Sequence, residues 1–335
     1  MDKLEGRKIT TSRSLSYTYY TSQRTTESKE QRALLFCHGF PDSAFLWNDV
    51  LAHLGNIPHK VVVPDMLGYA GTAKPLDKTL YNYAGMADDL REILDAEEVD
   101  KAIVVGHDWG AAMVQRFYAF HADRVAGIIL LNIAYHPPSK PGDPRFDLQG
   151  VNELLQNAYG APLWTYWEFF TSNDGPQLMR ENLEKVYEAQ HGDVPDWGFK
   201  MFCVPGAWRE YVVGSQTVPL KPYAKEKRWR DSFFGQFEKD SFEAPVQWYR
   251  AMIENVQYEV EVKIPTERRK IEVPVLFVGC TQDANNRIDL IEIPKEAGLL
   301  PQLEVKILDC GHWCPMEMPK EVADFIREFL TKQLC

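Results

Sequence analysis

The chain has 335 residues, 48 acidic against 37 basic, giving a formal net charge of −11 with 45 % hydrophobic and 25 % charged residues. That balance fits a globular protein with material for one large core or two smaller ones, and it argues against a general nucleic-acid surface or a basic membrane patch. No apolar run approaches the about 18 residues a bilayer span needs, and Met1–Thr11 is polar and charged, without the apolar centre of a signal peptide.

Short β-branched and apolar runs predict strands over Leu15–Tyr20, Ala33–His38, Val61–Pro64, Ala102–Val105, Gly127–Asn132, Val275–Gly279 and Val305–Leu308. Helical patterns fall between them. Ala84–Glu98 is amphipathic, with Met86, Leu90, Ile93 and Leu94 on one stripe, Trp109–Phe120 follows the fourth strand, and Glu321–Leu334 closes the chain. Alternating strands and helices imply an α/β fold with a mostly parallel sheet and helices on both faces. From about His136 to Arg269 the rhythm breaks into a segment rich in Trp, Tyr, Phe and Pro without good strands. The expected organisation is a core over 1–135, a helical lid over 136–270, and the rest of the core over 271–335. The lid's two ends must lie close together for the chain to re-enter one sheet.

Four motifs sit where the predicted strands end. Gly106-His107-Asp108-Trp109-Gly110 has the spacing of a nucleophile elbow, a sharp strand-to-helix turn that lifts one side chain into a cleft. Its central residue is a carboxylate, which can attack carbon and form an alkyl-enzyme ester that water then hydrolyses. The plainer reading of such an Asp is a helix N-cap. His38-Gly39-Phe40-Pro41 ends an earlier strand, and the backbone N–H groups of Phe40 and Trp109 are the candidates for an oxyanion hole. Asp283 and His312 follow the last two strands, at the carboxyl ends where open α/β sheets place their sites. His312 is the candidate general base for the attacking water, and Asp283 the residue that orients its ring. Asp289 and Asp309 compete with Asp283 for that role.

The six cysteines contain no C-x-x-C pair, and Cys310 and Cys314, flanking His312, lack further ligands at metal-site spacing. No metal site is expected, and free thiols in a reducing, cytoplasmic compartment are the default.

With these residues in place, the chain resembles the epoxide hydrolases of the α/β-hydrolase superfamily. The likeness runs through HGFPDSAFLW, PDMLGYAGTAKP, VGHDWGAAMVQRF, FEKDSFEAPVQWYRAM and the final GHW. It implies an α/β-hydrolase fold with an inserted helical lid, opening of a small apolar epoxide to a vicinal diol, water as co-substrate, and no metal or organic cofactor. It also implies two lid tyrosines that donate to the epoxide oxygen, and Tyr166 matches the first such position. The second matching position is Phe233, which cannot donate; Tyr223, Tyr249, Trp229 and Ser232 are the nearby candidates to compensate. Phe40, Trp109, Trp164, Trp167 and Phe233 are expected to line an apolar pocket. The resemblance leaves oligomeric state and natural substrate open.

Two other functions compete. Haloalkane and haloacid dehalogenases use the same Asp-His-Asp triad, and Trp109 resembles their halide-binding indole. Phe40 stands where haloalkane dehalogenases typically carry Asn, and Trp109 and Ala112 stand where haloacetate dehalogenases carry Arg, with Arg116 expected to point elsewhere. A small-molecule binder without turnover is the second rival, but such a protein gains nothing from a reactive Asp beside a base.

Overall fold

The β-branched runs pair edge to edge into one eight-stranded sheet in the computed structural model, which describes residues 4–23 and 32–333. Its strands are β1 (Glu5–Thr10), β2 (Ser16–Thr21), β3 (Arg32–Cys37), β4 (Lys60–Pro64), β5 (Lys101–His107), β6 (Val125–Leu131), β7 (Val275–Cys280) and β8 (Leu303–Leu308). They lie in the order β1-β2-β4-β3-β5-β6-β7-β8. The β1–β2 and β2–β4 pairs are antiparallel and every other pair is parallel.

Central β3, β5, β6 and β7 are buried almost throughout, as strands covered on both faces must be. β8 is an edge strand whose Val305 and Ile307 stay exposed. β1 was not expected from the sequence. Its residues, Glu-Gly-Arg-Lys-Ile-Thr, are nearly all exposed, so this edge strand carries no apolar alternation. It is held by its pairing with β2 and by Arg7, whose Nη1 meets Glu97 Oε1 at 2.9 Å.

Helix Tyr83–Ala96 is capped by Asn82, whose Oδ1 accepts from the Gly85 N–H at 2.8 Å, and it buries Met86, Leu90, Ile93 and Leu94 in the core. Helix Trp109–Phe120 follows β5, and helix Pro319–Gln333 closes the described chain; Leu334 and Cys335 lie outside the described residues. Among the described residues no helix is long and apolar enough to cross a membrane.

Between β6 and β7 the described chain carries nine α-helices, from Leu148–Tyr159 to Val256–Glu261, and no strand beyond an isolated Gly192–Leu220 bridge. The ends of this segment meet. The Phe146 N–H donates to Asn255 Oδ1 at 2.7 Å, and Asn255 Nδ2 donates back to the Phe146 carbonyl at 3.0 Å. Three ties fasten the segment to the sheet layer. Trp248 Nε1 donates to the Leu67 carbonyl at 2.8 Å, Gln257 accepts from the Tyr83 N–H at 2.8 Å, and Arg116 Nε meets Glu261 Oε1 at 2.5 Å. The last is a buried ion pair, so loss of either partner strands a charge at a cost of about 3–5 kcal/mol.

The chain leaves β3 toward β4 on one side and returns to β5 on the other, which opens a crevice at the carboxyl ends of β3 and β5. Strands β3, β5, β6, β7 and β8 end side by side. Their following loops bring Phe40, Asp108, Asn132, Asp283 and His312 to one edge of the sheet.

Candidate active site

Asp108 is the turn residue between β5 and its helix, at φ +53° and ψ −128°. A side-chain-bearing residue is uncommon at positive φ, so the turn is strained and needs close support. Three glycines supply it. A Cβ at Gly106 would strike the backbone of Gly110 and Ala111, one at Gly110 the Cys37 carbonyl, and one at Gly39 would come within 2.6 Å of the Trp109 nitrogen and against the Asp108 carboxylate. Although Asp108 occupies the N-cap position, its side chain makes no capping hydrogen bond. The carboxylate instead turns away from the helix it precedes. Its Oδ1 accepts from the Phe40 N–H at 2.8 Å, the Trp109 N–H also supports it, and its Oδ2 lies 3.6 Å from His312 Nε2.

His38 sets the Phe40 loop. Its Nε2 accepts from the Met66 N–H at 2.9 Å, which leaves Nδ1–H to donate to the Gly39 carbonyl at 2.9 Å. Burial holds this ring near a pKa of about 4, so it stays neutral and keeps that donor pattern.

His312 Nδ1 bonds Asp283 Oδ2 at 2.6 Å. Asp283 is held in turn by Asn132 Nδ2 at 2.7 Å, by the N–H groups of Asn285 and Asn286 at 3.3 and 3.2 Å, and by Asn286 Nδ2 at 3.3 Å. Burial opposes its ionisation, but the His312 charge and these donors prevail and keep it below the ordinary carboxylate range. His107 Nε2–H donates to the His312 carbonyl at 2.8 Å, and burial, with the His312 charge behind it, pushes its own pKa to about 3. The two rivals for the acid position lie elsewhere. Asp289 is exposed and paired with Arg287 at 2.9 Å, and Asp309 is exposed and accepts from Thr281 Oγ1 at 2.5 Å.

Burial alone would discharge His312, but Asp283, then Asp108 and Asp42, raise it from its ordinary 6.5 to about 9. Burial raises Asp108 above its ordinary value, while His312 and the Phe40 and Trp109 N–H groups act in the opposite direction. Two backbone donors converging on one carboxylate stabilise its charged form. His312 is thus an imidazolium at neutral pH, and its charge with the two N–H donors favours the carboxylate form of Asp108 against burial.

Two cavities that share no wall residue flank this point. One, of about 290 Å³, is lined by Asp108, Trp109, Trp164, Tyr166, Trp167, Phe146 and Met252 among others. The other, of about 620 Å³, is lined by Asp283, Asn285, His312, Trp313, Gln190 and Lys221 among others. A narrow neck of about 10 Å³ shares Asp108 and Tyr166 with the first and Gln190, Asn285, His312 and Trp313 with the second, and adds Phe40, Phe170 and Tyr249. Tyr166 opens helix Tyr166–Thr171, and its oxygen accepts from Asn285 Nδ2 at 3.4 Å. That leaves the phenol hydrogen free for another acceptor.

The structure thus brings Asp108, Asp283, His312 and Tyr166 together, with the Phe40 and Trp109 N–H groups at the nucleophile. Trp109, Trp164 and Trp167 wall the first cavity. Phe233 does not join them, contrary to expectation. It lines a separate small cavity with Asp42, Tyr187, His191 and Trp229, behind Phe242, whose ring lies between Phe233 (6.4 Å) and Phe40 (6.1 Å). Of the residues named as substitutes for it, Tyr249 alone reaches the neck; Trp229 and Ser232 line the small cavity with Phe233, and Tyr223 is bonded to His191 Nδ1 at 3.1 Å.

Tyr249 stands at the third position of helix Gln247–Ile253. Its ring is held edge-on by Phe40 at 5.5 Å, Trp109 at 5.0 Å, Trp167 at 5.1 Å and Phe170 at 5.4 Å. A buried tyrosine hydroxyl usually finds a hydrogen-bond partner, and Tyr187 has the Ala224 carbonyl at 2.9 Å. Among the described residues the Tyr249 hydroxyl has no acceptor. The Trp109 indole beside it is a donor only, so it supports charge on the phenol oxygen but cannot take its hydrogen.

Arg116 also departs from expectation, because it lines the first cavity, though its Nε and Nη1 are engaged by Glu261 and the His136 carbonyl. Sequence reasoning missed Asn132, Asn285, Asn286 and His107: the pairing of β6 with β7 delivers Asn132, the loop after β7 turns Asn285 and Asn286 back onto Asp283, and His107 sits inside the elbow motif beside the nucleophile.

The chain belongs to the alpha/beta hydrolase fold family, which matches residues 32–319. Epoxide hydrolase A of Mycobacterium tuberculosis is 28 % identical over 315 residues, covering 92 % of this chain and 94 % of its own length. Bifunctional epoxide hydrolase 2 of Rattus norvegicus is 24 % identical over 90 % of this chain; the chain spans 52 % of that relative's length. Among solved structures, an epoxide hydrolase from an endophytic Streptomyces superposes with a TM-score of 0.80 at 23 % identity, over 99 % of this chain and 96 % of that one, and so shares the fold.

Proposed function

We propose that the chain hydrolyses an apolar epoxide to a vicinal diol through an ester on Asp108. The observation that carries this reading is the orientation of Asp108. Its carboxylate makes no cap bond, rests on the Phe40 N–H, and faces His312 and the phenols of Tyr166 and Tyr249 across a neck between two cavities. The relatives named as epoxide hydrolases support epoxide hydrolysis as the reaction.

In the first step Asp108 attacks an epoxide carbon and the carbon–oxygen bond breaks. The leaving oxygen accepts a hydrogen bond from Tyr166 and one from Tyr249, which takes the role of the second lid tyrosine that Phe233 cannot fill, and receives a single proton from one of them. The imidazolium of His312 restores that proton, which leaves His312 neutral and the nucleophile esterified. In the second step His312, oriented by Asp283, removes a proton from water. The hydroxide adds to the ester carbonyl, and the Phe40 and Trp109 N–H groups stabilise the oxyanion. Collapse releases the diol and returns the carboxylate–imidazolium pair. The scheme uses no metal or cofactor and no nucleic acid, only epoxide and water.

In this reading residues 136–270 form a lid over a core made of 1–135 and 271–335. Trp109, Trp164 and Trp167 select an apolar substituent. A cytoplasmic setting fits the free, buried thiols of Cys37, Cys203, Cys280, Cys310 and Cys314.

The test sets styrene oxide and stilbene oxides beside 1-bromobutane and fluoroacetate, following diol and halide release. Diol is expected from the epoxides, and His312→Gln is expected to accumulate a mass increase on the peptide carrying Asp108. Halide release without diol would overturn the reading in favour of dehalogenation.

A further inference from the structure

The second step needs one water molecule held in one orientation. Its two hydrogens and two lone pairs fix what must surround it. One hydrogen faces the base, and one lone pair faces the ester carbon. The other hydrogen needs an acceptor, and the other lone pair a donor. A water lacking those two partners turns freely and spends most of its time misaligned for attack.

The neck between Asp108 and His312 has about 10 Å³, room for about one water molecule. Its polar groups can be accounted for in turn. Asp108 carries the ester, and His312 is the base. The phenols of Tyr166 and Tyr249 serve the oxygen released in the first step. Trp313 Nε1 is taken by Asp42 Oδ2 at 3.2 Å. Gln190 and Asn285 remain.

Both are amides only 6 % exposed, and both line the second cavity as well as the neck. Gln190 lies on helix Leu183–His191. Its Oε1 is buried, so Nε2 is its accessible end, and Nε2 meets no acceptor among the described residues. Asn285 Nδ2 donates to the Tyr166 oxygen at 3.4 Å, which leaves Oδ1 as its free acceptor; Oδ1 is not closed off and meets no donor among the described residues. The neck thus offers one free donor and one free acceptor, the pair that the water requires. An almost buried amide with neither end bonded to the described chain adds nothing to the fold, so Gln190 is explained by a ligand and not by packing.

The approach of water fits the same arrangement. The ester's apolar arm occupies the first cavity, among Trp109, Trp164 and Trp167. The second cavity shares Gln190, Asn285, His312 and Trp313 with the neck and carries Thr281, Gln282 and Lys221 on its wall, which leaves it as the polar side from which water arrives.

We propose that Gln190 and Asn285 position the hydrolytic water, Gln190 Nε2 donating to its oxygen and Asn285 Oδ1 accepting one of its hydrogens. This rests on the ester reading above and deepens it. Neutral His312 takes the other hydrogen as a proton on Nε2, and the water oxygen bonds to Asp108 Cγ. The bond from Cγ to the substrate oxygen then breaks, and that oxygen takes the proton back from His312. The proton left on the new carboxyl group passes to His312, which readies both residues for the next turnover.

The test is a rapid-quench single turnover of excess protein with styrene oxide, following the ester on the Asp108 peptide as it forms and decays. Gln190→Leu removes the donor, keeps a similar bulk and breaks no side-chain hydrogen bond to the described chain. It is expected to slow ester decay about tenfold and to leave ester formation within about twofold; Gln190→Met is the second variant should that one fail to fold. Asn285→Ala should slow decay to a similar extent, and its effect should fall short of multiplying with that of Gln190→Leu, because both act on one water. Decay within about twofold of the wild type in both Gln190 variants, formation and decay slowed alike in them, or effects that multiply in the double variant would overturn the assignment. Neither ester nor diol from the wild type would instead overturn the epoxide reading, and this assignment with it.

Discussion

Asp108→Asn makes a neutral, nearly isosteric stand-in for the esterified nucleophile, and its effect on His312 can be worked from the structure. His312 Nε2 stands 3.6 Å from Asp108 Oδ2 and titrates at about 9, burial being outweighed by Asp283, Asp108 and Asp42. At an effective dielectric of about 20, unit charges at that separation interact by about 5 kcal/mol, roughly three pKa units. Removing the Asp108 charge should therefore bring His312 near or below neutrality. This is the change the second step needs, because only a neutral imidazole can take a proton from water. The assay is an NMR pH titration of ¹⁵N-histidine protein, with His312 assigned by its loss in His312→Gln. Buried His38, His107 and His191 stay out of the way, pushed down to about 4, 3 and 3. The kinetic counterpart is that ester decay in the wild type rises with pH to a plateau whose midpoint lies well below 9. If His312 in Asp108→Asn still titrates near 9, the charge-coupled account of the two steps is wrong.

Three further outcomes follow from the same geometry. Tyr249→Phe keeps the ring and its packing, and should slow ester formation roughly a hundredfold while leaving ester decay within about twofold; equal slowing of both steps in rapid-quench single turnovers would mark a packing role instead. Gly39→Ala would place a methyl group within 2.5 Å of Asp108 Cβ and 2.6 Å of the Trp109 nitrogen, in a turn with no slack. It should cost roughly 3 kcal/mol of stability and abolish diol formation, as read by urea unfolding and a diol assay; a stable, active Gly39→Ala would show that the elbow is looser than described. The last concerns stability and pH. His312 is raised in the folded state, so its contribution is full below its unfolded value of 6.5 and is lost as pH rises through about 9. The wild type should thus lose about 3 kcal/mol of its advantage over His312→Gln between pH 6.5 and pH 10. Parallel unfolding curves for the two proteins across that window would refute the coupling.

The order of chemistry along the chain was legible because each functional residue sits where an apolar run stops. Val105, Gly279 and Leu308 precede turns whose glycines and polar residues announce a site. The need for glycine at 106 and 110 was legible from spacing alone, since a turn that lifts its central residue out of the backbone requires close approach on both sides. Other features were hidden for physical reasons. β1 carries its charge outward on both faces, so no periodicity marks it. Asn132 meets Asp283 only because β6 and β7 are neighbours, a pairing that joins residues 151 positions apart. Phe233 follows the sequence likeness of the lid, yet helix Lys227–Phe237 turns it toward Tyr187 and Phe237, at 5.2 and 5.1 Å. Tyr249 reads in sequence as one more packed aromatic beside Trp248; only the rings around it reveal which end of the phenol is free.

The ester mechanism requires that Asp108 supply the oxygen of the first diol, and isotope transfer tests this most directly. A single turnover of excess wild-type protein with styrene oxide in H₂¹⁸O should place ¹⁸O in the Asp108 carboxylate, seen as a gain of about 2 Da on its peptide, and leave the first diol unlabelled. Label in that diol, with none on the Asp108 peptide, would mean that water attacks the epoxide directly and would contradict the ester mechanism.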